Sequence, residues 1–202
     1  MKVSLLKGNP SVYSANSYLV RGDWNKLDDL NTLIDPGTDG SILVELERIS
    51  TGVGKKRVEQ IILTHEHFDH SGATKIFKDM YNPVVFAYNK LSYVDVKVYD
   101  YMDIKLGDRD AVILYTPGHS NDSICIYCEE EQVLFSGDSP IFIRTAGGSY
   151  SSYFVEALRR LSRLKIKTIY SGHDYPITEQ AEEIIRFSLK NVLASKIVEG
   201  SV

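Results

Sequence analysis

Leu63-Thr64-His65-Glu66-His67-Phe68-Asp69-His70-Ser71-Gly72 is the stretch on which the reading of this chain turns. The apolar run Val58–Thr64 before it reads as a buried strand. After it, His70–Met80 carries Ala73, Ile76, Phe77 and Met80 at helical spacing. That order of strand, loop and helix sets His65, His67, Asp69 and His70 on the rigid rim of a sheet, where chemistry usually sits. His65 and His67 are two apart, so an extended chain sends both imidazoles to one side. Asp69 and His70 follow the turn into the helix and aim at a neighbouring point. One ion cannot comfortably take all four from so short a loop, whereas two ions roughly 3.5–4 Å apart can. Glu66, between the two histidines, is expected to face solvent.

Working outward, each remaining histidine sits in a comparable place. His119 lies in Thr116-Pro117-Gly118-His119-Ser120 and His173 in Tyr170-Ser171-Gly172-His173-Asp174-Tyr175, each just past a strand-like run. Asp138 lies in Phe135-Ser136-Gly137-Asp138-Ser139, again past a strand, behind a glycine that permits a tight backbone path. All five histidines of the chain are therefore at strand ends beside glycine or turn residues, and none is used elsewhere.

The rest of the chain alternates strand-like and helix-like runs. Val3–Lys7, Ser17–Arg21, Thr32–Asp35, Pro83–Tyr88, Ala111–Thr116, Ile124–Cys128, Val133–Ser136 and Thr168–Ser171 read as strands, with one or two more within Tyr93–Ile104. Asp39–Ile49, Tyr153–Leu164 and Thr178 to about Val198 read as helices, with Thr178 as cap of the last. Without repeats or linkers, the 202 residues are expected to form a single domain, 1–202, in the α+β or α/β class. A net charge of -4 and the lack of a basic stretch argue against a nucleic-acid partner. No run approaches the ~18 apolar residues of a membrane span, so no membrane partner is expected. No targeting segment is recognised, and a cytoplasmic location is the expectation. Cys125 and Cys128 are the two cysteines; three apart in a strand, they face opposite ways and are expected as separate buried thiols.

His65-x-His67-x-Asp69-His70, followed in order by His119, Asp138 and His173, resembles the metallo-β-lactamase superfamily. Leu33-Ile34-Asp35-Pro36-Gly37, Thr116-Pro117-Gly118-His119, Phe135-Ser136-Gly137-Asp138 and Ser171-Gly172-His173-Asp174-Tyr175 extend the resemblance, which is greatest to the glyoxalase II-like branch. It implies an α+β fold, a four-layer αββα sandwich with the site at one edge of two sheets. Carried over by position, it implies a first ion on His65, His67 and His119, a second on Asp69, His70 and His173, and Asp138 bridging them. Imidazole-rich ligation with some carboxylate suits two divalent ions, zinc first and iron or manganese as alternatives. Two such ions against the two aspartates leave surplus positive charge, which favours a bound hydroxide near neutral pH. The reading is a metal-dependent hydrolase whose metal-bound hydroxide attacks a small ester or thioester, with Asp69 also handling a proton. The alternative is a persulfide dioxygenase using one Fe(II) on His65, His119 and Asp138, a facial triad.

Asp35, Thr64 and Asp174 are candidates for orienting ligand imidazoles, Asp35 being equally a turn residue. The segment between Asp138 and His173 is expected to overhang the site, with Arg144 holding an anionic group and Tyr150 and Tyr153 lining a pocket for a small-molecule substrate. About 29 residues follow His173, room for one long helix, so the glutathione-binding helical domain of glyoxalase II itself is not expected here.

Overall fold

Side chains of the second strand separate by parity: Tyr18 and Val20 point into one apolar cluster and Leu19 into another, as the period of two in a strand requires. The same division recurs along the chain and builds the layers. In the computed structural model, which describes residues 1–24 and 26–200, β1 (Lys2–Leu6), β2 (Ser17–Arg21), β3 (Thr32–Ile34), β4 (Gln60–Ile62), β5 (Val84–Ala87) and β6 (Val96–Lys97) form one sheet in chain order. Its first three strands are antiparallel and the rest are parallel. The second sheet has β12 (Thr168–Ser171) at one edge. It continues through β10 (Val133–Gly137), β9 (Ile124–Cys128) and β8 (Arg109–Tyr115) to β7 (Asp103–Leu106).

Ile34, Ile62, Ile113, Ile126 and Phe135 fill the space between the sheets. Leu33, Ile61 and Leu63 face the other way, against Leu46 of α1 (Leu43–Leu46) and Phe77 of α3 (Thr74–Tyr81). On the far side Leu114, Cys125 and Leu134 meet Leu158 of α4 (Ser152–Leu161) and Ile185 of α5 (Ala181–Leu193). Helix, sheet, sheet, helix is thus the layer order, and each fully buried aliphatic or aromatic side chain contributes about 1.5–3 kcal/mol. The cysteines separate as their spacing predicts: Cys125 lies under the helices and Cys128 between the sheets, both unpaired.

Several elements differ from the sequence expectation. The helix expected over Asp39–Ile49 is a 3-10 turn at Gly40–Ile42, with Asp39 accepting from Ser41 N–H, followed by the single turn α1. The Tyr93–Ile104 run, by contrast, follows the expectation of one strand or two: it gives β6 and β7, one in each sheet. The closing helix starts at Ala181, because Gln180 takes a left-handed conformation (φ 55°) that the α-helix cannot contain, and it stops at Leu193. Beyond it, β13 (Lys196–Val198) pairs in parallel with β11 (Ser149–Ser151), a contact between distant segments that no local pattern announces.

Candidate metal centre

β4 ends at Ile62, and Leu63 through His67 leave the sheet before α2 (Phe68–Ser71) begins. Asp69 and His70 thereby lie in a helical turn, while His65 and His67 precede it. His119 follows β8, Asp138 follows β10 and His173 follows β12, all at the same end of their strands. The turns that carry them need glycine. A Cβ on Gly137 would stand 2.5 Å from Thr64 Oγ1, and one on Gly172 would collide with the Asp138 carboxylate and the His70 ring.

The seven side chains converge in two adjacent groups: His65, His67 and His119 in one, and Asp69, His70, Asp138 and His173 in the other. His119 Nε2 is 2.9 Å from His67 Nδ1. His173 Nε2 is 3.1 Å from Asp69 Oδ2, and His70 Nε2 is 3.2 Å from Asp138 Oδ1. Donors around a tetrahedral ion with bonds of 2.0–2.1 Å stand about 3.3 Å apart, close to these separations, and the donor atoms of each group all lie within 4.8 Å of one another. Asp138 lies between the groups, its Oδ2 3.5 Å from both His119 Nε2 and His173 Nε2.

Three buried atoms test whether a cation fits. Among the described residues, His65 Nε2, His70 Nε2 and Asp138 Oδ1 have no hydrogen-bond partner; the 3.2 Å approach of the last two is misaligned for a hydrogen bond. Leaving such groups unpaired costs about 1–3 kcal/mol each, and a metal ion would engage all three. Their other ends are fixed. Asp35, buried despite its turn conformation (φ 51°), accepts from Thr64 N–H (2.8 Å) and Thr64 Oγ1–H (2.6 Å) and faces His70 Nδ1 at 2.7 Å. With its proton given to Asp35, Thr64 Oγ1 accepts from His65 Nδ1–H at 3.2 Å. This network assigns the tautomers and turns both Nε2 atoms inward.

The electrostatics agree. Burial lowers the pKa of His65 to about 4, the neighbouring His70 charge acting in the same direction, so its ring is neutral and its Nε2 lone pair is free to be shared. Burial also opposes a charge on His70, but Asp35 and Asp138 outweigh it and carry that pKa up to about 10. Asp138, raised by burial, is brought down to about 2 by His70 and the other imidazoles. The carboxylates create a field that calls for positive charge at this spot, and the donor set fits divalent metal ions.

The residues expected to bind substrate distribute unevenly. Tyr153 lines a cleft of about 190 Å³ with His119, Tyr115, Asn121 and Ser151. Arg144 does not line that cleft; it is exposed, and its guanidinium lies 4.6 Å from the centre of the Phe142 ring. Tyr150 packs against Phe154 in the core under the second sheet, because β11 turns its ring inward. Glu66 is half-buried rather than solvent-facing: its N–H donates to Asp122 (2.8 Å), which draws it beneath the His119 loop. Asp174 contributes its backbone carbonyl, which accepts from Asn16 at 2.7 Å, and its side chain is exposed. Asp122, Asn16 and Tyr13 were not foreseen; the last two lie in a short polar loop with no periodic signal. A larger cleft, about 690 Å³, lies under Tyr101, Arg163 and Lys165 on the second sheet, and no histidine lines it.

The family model of the metallo-beta-lactamase superfamily matches residues 10–97 and 87–173, and the chain belongs to that superfamily. A hydroxyacylglutathione hydrolase of Pelagibacter ubique is 31% identical over 172 residues, covering 79% of this chain and 66% of the relative. An atrochrysone carboxyl ACP thioesterase of Aspergillus fumigatus is 25% identical over 194 residues, 90% of this chain and 58% of the relative. The similarity to hydroxyacylglutathione hydrolases sets the chain in the glyoxalase II-like branch. The chain spans between half and two thirds of the length of these curated relatives. A metallo-beta-lactamase family protein of Thermus thermophilus has the same fold, with a TM-score of 0.71 and 20% identity over 95% of this chain and 79% of that one.

Proposed function

We propose that this chain is a binuclear metal-dependent hydrolase of a small ester or thioester, with His65, His67 and His119 holding one ion, Asp69, His70 and His173 the other, and Asp138 touching both. The observation that carries this reading is the pair of adjacent donor groups with Asp138 between them. Relatives named as a hydroxyacylglutathione hydrolase and an acyl-carrier thioesterase support the substrate class. Zinc suits the donors best, and iron and manganese remain compatible with them. Divalent ions held there supply Lewis acidity, which acidifies water and polarises a carbonyl oxygen.

The chain's own residues do the rest. Asp35 and Thr64 hold His70 and His65 in the tautomers that aim Nε2 inward. Asp69 offers one carboxylate oxygen to the donor group, and the other has no hydrogen-bond partner among the described residues; it is the group placed to take up and release a proton. Tyr153, across the cleft from His119, bounds the space for a small-molecule substrate. Among the described residues, no helix is long and apolar enough to cross a membrane.

The test is metal quantification on protein purified without added metal, with thioester hydrolysis and oxygen consumption measured on the same preparation. Close to two metals per chain with hydrolysis independent of O₂ is the expected result. One iron per chain, persulfide-dependent O₂ uptake and no hydrolysis would overturn it in favour of the facial-triad oxygenase.

A further inference from the structure

Residues 9–16 cross the edge of the site and are fastened to both loops that carry its second donor group. Ala15 N–H donates to the Asp69 carbonyl (3.0 Å) and Asn16 N–H to that of Gly172 (2.6 Å). The Asn16 carboxamide donates to the carbonyls of Ser171 (3.1 Å) and Asp174 (2.7 Å). From the other side, Thr38 Oγ1 donates to the Tyr13 carbonyl (2.6 Å), and Ser14 Oγ accepts from Thr38 N–H (3.0 Å). Tyr13 is thus presented by a backbone held on both sides.

Its side chain is 76% exposed, so a substrate can reach it. The ring stacks on that of His173, with centroids 5.2 Å apart and planes 20° from parallel. The phenol oxygen stands 3.4 Å from His173 Nε2, the nitrogen that faces Asp69 and Asp138. Other tyrosine hydroxyls are engaged in holding structure: Tyr18 donates to the Ser171 carbonyl, Tyr115 to that of Asn121 and Tyr127 to that of Lys165. Among the described residues, the phenol of Tyr13 has only an imidazole nitrogen as partner, and that nitrogen stops accepting once its lone pair is given to a metal ion. The O–H is then a free, neutral donor at the open side of the donor group. Negative charge gathers on a carbonyl oxygen at such a place during hydrolysis, and a fixed donor aimed there lowers the barrier.

We propose that Tyr13 is a catalytic residue whose phenol donates a hydrogen bond to the substrate's carbonyl oxygen as negative charge builds on it. This rests on the hydrolase reading above. Water adds its oxygen to the carbonyl carbon, the carbon–sulfur or carbon–oxygen bond breaks, and the products are a carboxylic acid and a thiol or alcohol. The phenol keeps its proton throughout.

The experiment uses the metal-loaded protein and its Tyr13→Phe and Tyr13→Ala variants, with three readouts: metal content, steady-state kinetics on a thioester series, and calorimetric titration with inorganic phosphate as an oxyanion probe. Tyr13→Phe keeps the stacked ring and removes the O–H. It should keep its metal and hold KM within about twofold while kcat falls on the order of 10²-fold, the scale of one lost oxyanion donor. Its phosphate affinity should fall about tenfold, as for one hydrogen bond to a charged acceptor. Tyr13→Ala should do no less. A kcat for Tyr13→Phe within twofold of wild type overturns the proposal, as does a rise in KM alone. Loss of metal from Tyr13→Phe also overturns it, since the phenol would then be a ligand. Wild-type protein that hydrolyses nothing would sink the hydrolase reading by itself; phosphate affinity unchanged in Tyr13→Phe would separately sink the donor role.

Discussion

At the end of β8 away from His119, the amino group of Met1 lies 2.9 Å from Asp23 and 2.8 Å from Glu131, and the Arg109 guanidinium is within 3.0 Å of Asp23, Asp108, Glu130 and Glu131. At the other end, Asp35, Asp69 and Asp138 face imidazoles, and among the described residues no lysine or arginine lies within 4 Å of them. Both ends gather carboxylates. One answers them with fixed cations of the chain itself, the other with imidazoles that gain or lose charge. Density of charge therefore does not mark a site. A structural cluster completes its own electrostatics, whereas a binding centre leaves the completion to something from outside.

Three substitutions probe that contrast, taken from the strongest expected effect to the weakest. Asp138→Ala removes the carboxylate between the donor groups. Turnover should fall on the order of 10⁴-fold, the scale of losing a central catalytic group, and metal content should drop from about two per chain to one or less. Circular dichroism should stay native; a fully metallated, active variant would refute the bridging role. Asp35→Asn keeps the shape but weakens the partner of His70, so metal affinity or activity should fall about 10–100-fold, chiefly at the second donor group. An Asp35→Asn protein with wild-type affinity at both sites would show that the carboxylate serves only the turn. Arg109→Ala, at the far end, should cost about 1 kcal/mol or less in urea unfolding and leave kcat/KM alone. A change in catalysis from that variant would break the distinction between the two ends.

The seven candidate donors were legible because each sits just past a strand or in the turn that follows one, and strands announce themselves by parity: Leu19 against Tyr18 and Val20, Ile61 against Ile62. Arg144 and Tyr150 lie away from the cleft beside His119: chain position says where a segment hangs but not which way its side chains turn. Glu66 misled because alternation predicts direction only while the strand continues, and here the Asp122 loop closes over it. Tyr13 was illegible for a different reason. Its meaning comes from a contact with His173 across 160 positions, and β13 likewise pairs with a strand far back in the chain. Local pattern carries no information about such encounters.

The donors of the second group come from chain segments as far apart as Asp69 and His173, 104 positions along the sequence. An ion seated there is a removable cross-link, closing a long loop as a disulfide does and resisting the same chain entropy. Because the unfolded chain has no such pocket, metal binding and folding would be linked equilibria. Each tenfold rise in free metal above its dissociation constant should add about 1.4 kcal/mol to stability, or roughly 3–5 °C in Tm for a chain of this size. Thermal melts across a metal-buffer series would read that coupling directly, and a Tm indifferent to metal would mean that the ion binds folded and unfolded chain alike.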